Sequence, residues 1–596
     1  MNTQSRKILF FSPYAGIWQH ALPEALVAAQ LQRADAEVVY VTCDGILSAG
    51  CGAMAAVGVS PTDTAETRKA VCAKCRSQRD LIIQSLGVPS INLESVIDDA
   101  SLAFVDNLVR TVVPQNMLDF SVEGFSLGRF ALHETVVRFK LTDLAEATPA
   151  AFAHFQVSLR HVLIAFHATK ALLAKYAPDR IVTYNTHHSL NYAMMNLAER
   201  DGIPVFGLHA GGNMARRLSS LYVFRRDMVV MYRDMIRRFE EGLRDSPSDG
   251  QGIRNATDHY LALASGRMIF VYSAPKSETR VDVRTLFGIR PDQKLLLATL
   301  SSYDELFSSQ MSGVIGTYPL MFRNQIEWIT ELIAWAEKRP DVFLLIRVHP
   351  REFPNRRDSV HSNHARALAA AFESLPPNVK INWPTHSISL YDLATAIDVG
   401  LNGWSSAGKE LAFLGVPVVL FTSEILFYPA SLNFLATDKE NYFYRIDEAL
   451  ASGWSLERVV RTYRWLALEY TLATIDISDG FDFQEVKASL LRRIFNRIKR
   501  IADPLHVQRK HARALRKPLR HGEKFVRAIL DGVPVVSLQL DDRIPLSNAE
   551  EGRLLRSEID RMVTSVYADE GRLHSPLIDH LRNAVRSDEP TSTAAQ

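Results

Sequence analysis

The sequence predicts an α/β protein built from two Rossmann-like domains facing a cleft, with a helical C-terminal extension. Three observations predict it. At 596 residues the chain is about four times a common domain size of roughly 150 residues, too long for a single core. Short apolar runs of strand type alternate with helical patterns, as a parallel sheet covered by helices requires. The alternation then restarts near residue 294, so the pattern describes two sheets in tandem.

The first sheet opens at once. RKILFFSPY, from Arg6, reads as a buried parallel strand ending in a polar loop. A helix pattern over Pro23 to Leu31 leads to a second strand, AEVVYVTCDG. Residues 90–176 are largely helical in pattern, and RIVTYN (180–185) and PVFGLH (204–209) are strands around a helix from Asn191 to Arg200. No G-x-G-x-x-G follows the first strand. In the second half, KLLLATLSSYDE (294–305), DVFLLIRVHP (341–350), NVKINWP (378–384), DVGLNG (398–403) and PVVLFT (417–422) read as strands. Helices are expected from Asn324 to Glu337, Ser389 to Ala396 and Ser406 to Leu414. The domains expected are 1–260, with a cysteine-bearing insertion at 43–75, then 261–455, then a basic helical extension over 456–596.

Composition narrows the function. Hydrophobic residues are 47% and charged residues 22%, which excludes a disordered, collagenous or coiled-coil protein. No apolar run reaches the roughly 18 residues of a membrane span, and the N-terminus lacks the apolar core of a signal peptide. A cytoplasmic protein is expected. The net charge of +2 hides an uneven distribution. Between Lys487 and Arg527 stand 14 Lys or Arg against Asp503 and Glu523, a local net of +12. Within it, LLRRIFNRIKRI sets Leu490, Leu491, Ile494, Ile498 and Ile501 at helical spacing among arginines. Such a helix suits an anionic membrane surface or packs on the protein itself. Without interleaved aromatics it does not suggest nucleic acid.

All four cysteines lie within 33 residues: Cys43, Cys51, Cys72 and Cys75. The C-x2-C pair is a common zinc half-site, while the x7 spacing of the first pair is looser than usual. In a cytoplasmic chain a closed structural zinc site, an iron–sulfur cluster or free thiols are the readings, and disulfides are not expected.

Polar residues gather at the carboxyl ends of three second-half strands, where open α/β sheets bind ligands. They are Ser301 and Ser302, then Arg347 and His349, then Ser405 and Ser406 with Glu410 one turn on. Hydroxyls and backbone N–H groups at a helix start, with a cation and an imidazole beside them, suit a phosphate; Glu410 suits a ribose diol.

The order RVHPRE (347–352), a gap of roughly 50 residues, then DVGLNGWSSAGKELAFLGVPVVLF resembles the C-terminal half of GT-B glycosyltransferases that build bacterial capsules and surface polysaccharides. It is similar in particular to capsule Kdo transferases and bacterial sialyltransferases, which have HP and Ser-Ser or Ser-Thr motifs. The CDP-glycerol glycerophosphotransferases have a comparable pair. GFSLGRFALHETVVRF (124–139) and TYNTHHSLNYAMMNLAERDGIPVFGLHAGGN (183–213) look like segments of the surface-polysaccharide enzymes. The resemblance covers roughly residues 5–425. It implies a nucleotide-sugar donor, CMP- or CDP-linked, and a glycan or lipid-linked acceptor. It also implies donor-phosphate contacts from His349, Ser405, Ser406 and Arg347, and ribose contact from Glu410. The acidic pair followed by Gly that supplies the base in the sialyltransferase-like enzymes is absent. Only Asp44-Gly45 and Glu123-Gly124 occur, so Asp44, Glu123, His187, His188 and His209 are the candidate bases. No Asp-x-Asp stands near a strand end, and no catalytic metal is expected. The alternatives are a CDP-polyol phosphotransferase and a catalytically silent glycan-binding scaffold.

Overall fold

The computed structural model describes residues 5–266, 274–279, 281–354, 360–481, 506–568 and 575–586. Two sheets organise it. The first has seven strands in the order β13-β6-β5-β4-β1-β2-β3. Its parallel strands are β1 (Lys7–Phe11), β2 (Glu37–Thr42), β3 (Ser90–Asn92), β4 (Arg180–Tyr184) and β5 (Val205–Ala210). β6 (Ser220–Arg225) and β13 (Thr474–Asp476) close one edge in antiparallel register. The second sheet is all parallel, in the order β12-β11-β10-β7-β8-β9. It comprises β7 (Lys294–Thr299), β8 (Val342–Arg347), β9 (Val379–Asn382), β10 (Val399–Asn402), β11 (Val418–Leu420) and β12 (Phe434–Leu435). The α/β class and the pair of Rossmann-like domains facing a cleft, the GT-B arrangement, are therefore as the sequence predicts.

The strands are legible because both faces of each sheet are covered. β8 reads VFLLIR and every residue of it is buried, as a strand between two helical layers must be. The helix Pro149–Tyr176 is long and apolar enough to cross a membrane by length and composition. Here it is a core helix, with Phe155, Leu159, Val162, Leu163 and Phe166 fully buried in the first domain.

The extension departs from expectation. Residues from 456 do not form a separate appendage. The helix Leu456–Ala467 and a π-turn at Leu468–Leu472 lead into β13, which returns the chain to the first sheet. Beyond, the helix Gly522–Leu530 packs on the helix Trp18–Arg33, and the Leu519 amide donates to Gln30 Oε1 at 3.1 Å. The helix Asn548–Val566 packs on Gly250–Ala264, and its Glu551 forms a buried pair at 2.6 Å with Arg464 of the helix Leu456–Ala467. The expected boundary at 260 falls inside that Gly250–Ala264 helix. Part of the basic stretch is thus protein-packed, and the amphipathic pattern over 490–501 lies outside the described residues.

The domains also interlock beside the cleft. Lys140, fully buried, ends the helix Leu127–Phe139 and donates to the Phe353 and Val360 carbonyls at 3.3 and 2.6 Å. Arg351 answers from the second domain, donating to the Val137 carbonyl at 3.1 Å while pairing with Asp304 at 2.6 Å.

Candidate functional site

The carboxyl ends of the two sheets face one another across a cleft of about 530 Å³. From the first domain come Asn185, His187, His209 and Arg217. From the second come Ser301, Ser302, Glu305, His349, Ser405, Ser406 and Lys409. Strand-end residues hundreds of positions apart meet there because parallel strands all point their carboxyl ends to one edge.

His349 follows β8. Its Nδ1 accepts the Arg351 backbone N–H at 3.3 Å, and a backbone N–H can only donate. The ring therefore carries its proton on Nε2 when neutral. Desolvation, then the nearby Arg351, Arg347 and Lys140 cations, lower its pKa to about 3. The resting ring is a neutral donor.

His209 has the opposite tautomer. Its Nδ1 lies 2.8 Å from the Ala210 carbonyl, which can only accept, so Nδ1 bears the proton and Nε2 keeps its lone pair. Desolvation and the Arg217 cation lower its pKa to about 3. His187 is lowered to about 4 by desolvation, and its Nε2 has no hydrogen-bond partner. Ser301 Oγ is likewise buried and unpartnered. Two orphaned polar atoms facing one cleft are groups that a polar ligand would satisfy.

Beneath the serine loop runs a fixed chain of hydrogen bonds. Thr299 Oγ1 donates to Asn402 Oδ1 at 2.7 Å. Asn402 Nδ2 donates to the Ser405 carbonyl and to Tyr428 Oη, both at 2.9 Å. Ser406 does not cap the helix that it precedes; its hydroxyl donates to Glu410 at 2.9 Å. That helix, Ala407–Phe413, is only seven residues long. Glu410 also accepts from Tyr391 Oη at 2.9 Å and stands behind the lining.

Besides Glu410, four expected residues do not line the cleft. Arg347 is turned away, donating to Asn382 Oδ1 and the Ile388 carbonyl at 2.8 Å each. It braces the end of β9 and the loop at Ile388. Asp44 pairs with Arg79 at 2.8 Å beside the cysteines, two strands away from β4. Glu123 pairs with Lys170 at 2.6 Å on the exterior. His188 lies one step behind the lining, edge-on to Tyr14 at 5.7 Å.

Sequence reasoning gave no role to Arg217, Lys409 or Glu469, which also line the cleft. Lys409 sits inside the serine motif, where a cation beside hydroxyls was a usable signal. Glu469 had none, since only the return of the chain to β13 brings it there.

The four cysteines line a separate small cavity, about 20 Å³, at the same carboxyl edge over β1 and β2. All are free of disulfides. Among the described residues, no three His, Cys, Asp or Glu side chains form a group that could hold a metal ion. Burial pushes the Cys43 thiol up to about 12 and the Cys51 thiol up to about 11, so as free thiols they are poor nucleophiles.

No family model matches the chain, and no curated protein matches it. Solved structures do. The Thermosulfurimonas dismutans KpsC β-Kdo 2,4 transferase is 15% identical with a TM-score of 0.32, over 54% of this chain and 87% of that one. The Streptomyces nogalater glycosyltransferase SnogD is 14% identical with a TM-score of 0.22, over 78% and 96%. A UDP-N-acetylglucosamine 2-epimerase is 12% identical with a TM-score of 0.22, over 84% and 97%. These likenesses assign no activity to this chain.

Proposed function

We propose that the chain is a glycosyltransferase that moves a sugar from a CMP- or CDP-linked donor to a surface-polysaccharide or lipid-linked glycan acceptor. The observation that carries this reading is the opposed pair of imidazoles in the cleft: a donor Nε2–H on His349 and an acceptor Nε2 on His209. As the glycosidic bond to phosphate breaks, negative charge grows on the leaving group. Fixed donors aimed at that charge lower the barrier. His349 Nε2–H, the Ser301 and Ser405 hydroxyls and the Lys409 ammonium supply them from the second domain. His209 Nε2 takes the proton of the attacking hydroxyl from the first domain. The imidazolium formed there is offset by the anion that develops across the cleft. The protein works in the cytoplasm at the membrane face, held to anionic lipid by its basic C-terminal stretch.

The test is thermal stabilisation by CMP, CDP, UDP and GDP. Stabilisation by CMP or CDP that His349→Ala abolishes is expected. No response to any of the four sinks the enzyme reading. An equal response in wild type and His349→Ala removes the phosphate role of His349.

A further inference from the structure

Among the described residues two cations line the cleft, Arg217 from the first domain and Lys409 from the second. Lys409 is already engaged. Its ammonium donates to both carboxylate oxygens of Glu469, at 2.7 and 2.8 Å, and stands over the Tyr470 ring at 5.5 Å. Glu469 lines the same cleft. A phosphate entering beside the serine pair therefore meets an ammonium whose charge is already matched.

The carboxylate is the fixed member of the pair. It belongs to the π-turn Leu468–Leu472, which is clamped on two sides. Tyr222 Oη donates to the Glu469 carbonyl at 3.2 Å. His259 Nδ1 accepts the Met214 N–H at 3.0 Å, so its proton is on Nε2 and goes to Tyr470 Oη, also at 3.0 Å. Tyr232 Oη donates to Glu469 Oε1 as well. Gly212 leaves room for this arrangement: a Cβ there would lie 2.5 Å from Tyr222 Oη and 3.3 Å from Glu469 Oε1. Lys409, by contrast, reaches Glu469 on a flexible four-carbon stem. The ammonium can move without the backbone; the carboxylate cannot.

A carboxylate and a phosphate that draw on one ammonium compete for it, because two anions brought together where water is scarce repel each other strongly. Sugar transfer sharpens the contest. The departing nucleotide carries one more negative charge than the donor did, so the groups that stabilise its departure also hold the product. Product release then limits turnover. A resident carboxylate opposes that hold and takes the ammonium back as the nucleotide leaves.

We propose that Glu469 is a positioning residue that sets phosphate affinity: it competes with the nucleotide phosphate for Lys409 and so speeds release of the product. This role depends on Lys409 meeting the donor phosphate, as proposed above.

The experiment is calorimetric titration of the full chain with CMP and with CDP. It is paired with stopped-flow displacement of the bound nucleotide, followed by tryptophan fluorescence because Trp404 lines the cleft. Glu469→Gln keeps the shape of the side chain and removes its charge. It should bind nucleotide about tenfold more tightly than wild type, with the gain in slower dissociation, although it unfolds more easily. A side chain that only held the fold together would weaken binding when lost. Glu469→Asp keeps the charge one methylene further from Lys409 and should gain less than the Gln variant. Where Glu469→Gln does not fold, Glu469→Asp should still bind more tightly than wild type. Nucleotide binding by wild type with an unchanged or weaker affinity in the variants overturns the role of Glu469 and leaves the phosphate site standing. A wild-type chain that binds neither nucleotide overturns both.

Discussion

Lys409 Nζ lies 2.7 and 2.8 Å from the two carboxylate oxygens of Glu469. The pair joins the second domain's helix Ala407–Phe413, just after the serine pair, to the segment that returns to the first sheet. It is nearly dry, with side-chain exposures of 12% and 3%. Tyr232 Oη donates a further bond to Glu469 at 3.3 Å. Removing one partner strands a buried charge, which costs about 3–5 kcal/mol. Lys409→Met and Glu469→Gln should each lower unfolding stability by that order in denaturant titration. The double variant should recover part of the loss, and strict additivity of the two single effects would show that the pair is not coupled.

The tautomer of His349 makes a sharper test than its removal. A Gln side chain places its amide N–H₂ near the position of Nε2, whereas Ala places nothing there. Losing a hydrogen bond to a charged group costs about 1.5–3 kcal/mol, or roughly 10- to 100-fold in Kd. Calorimetric titration with CMP or CDP should show that loss in His349→Ala and a smaller one in His349→Gln. Equal losses would place the phosphate elsewhere.

Several buried imidazoles make the fold acid-sensitive. His161, on the helix Pro149–Tyr176, is lowered to about 3 by desolvation and then by the Arg160 cation. The unfolded ring takes its proton near pH 6.5. Its folded pKa is depressed, so the stability it protects is complete above about pH 6.5. That stability is lost at up to about 1.4 kcal/mol per pH unit as pH falls towards the folded value. His161→Leu should remove about one proton from the slope of unfolding free energy between pH 6 and pH 4.5, read by urea titration. An unchanged slope would show that His161 is already protonated in the folded protein.

The two sheets were legible because fully buried parallel strands read as unbroken apolar runs, as in FLLI before Arg347. The two antiparallel strands of the first sheet were not. β6 (SLYVFR) follows the arginine-rich loop ARRL, and β13 is three residues whose only strand signal is their partner, Tyr222 to Ser220. Site positions followed from strand ends, which is why His209, Ser301 and His349 meet. Side-chain direction did not follow. Arg347 stands at the right strand end, but its guanidinium is taken up by Asn382 and the Ile388 carbonyl. Asp44 also lies at a strand end, but β2 is too far along the sheet to reach the cleft.

The interlock at Lys140 tests whether the cleft depends on the domain interface. Its ammonium is fully buried and donates to main-chain carbonyls of Arg351, Phe353 and Val360 across that interface. Lys140→Met keeps the stem but leaves those carbonyls without their donor, at about 1–3 kcal/mol for each that water cannot reach. Arg351 is the residue after Pro350, and its backbone N–H fixes the His349 ring. A shift of the 350–353 turn therefore frees the imidazole as well as loosening the domains. The expected result is a lower unfolding midpoint together with nucleotide binding weakened about as much as in His349→Ala. A variant that loses stability but keeps wild-type nucleotide affinity would show that the turn holds its shape without the lysine.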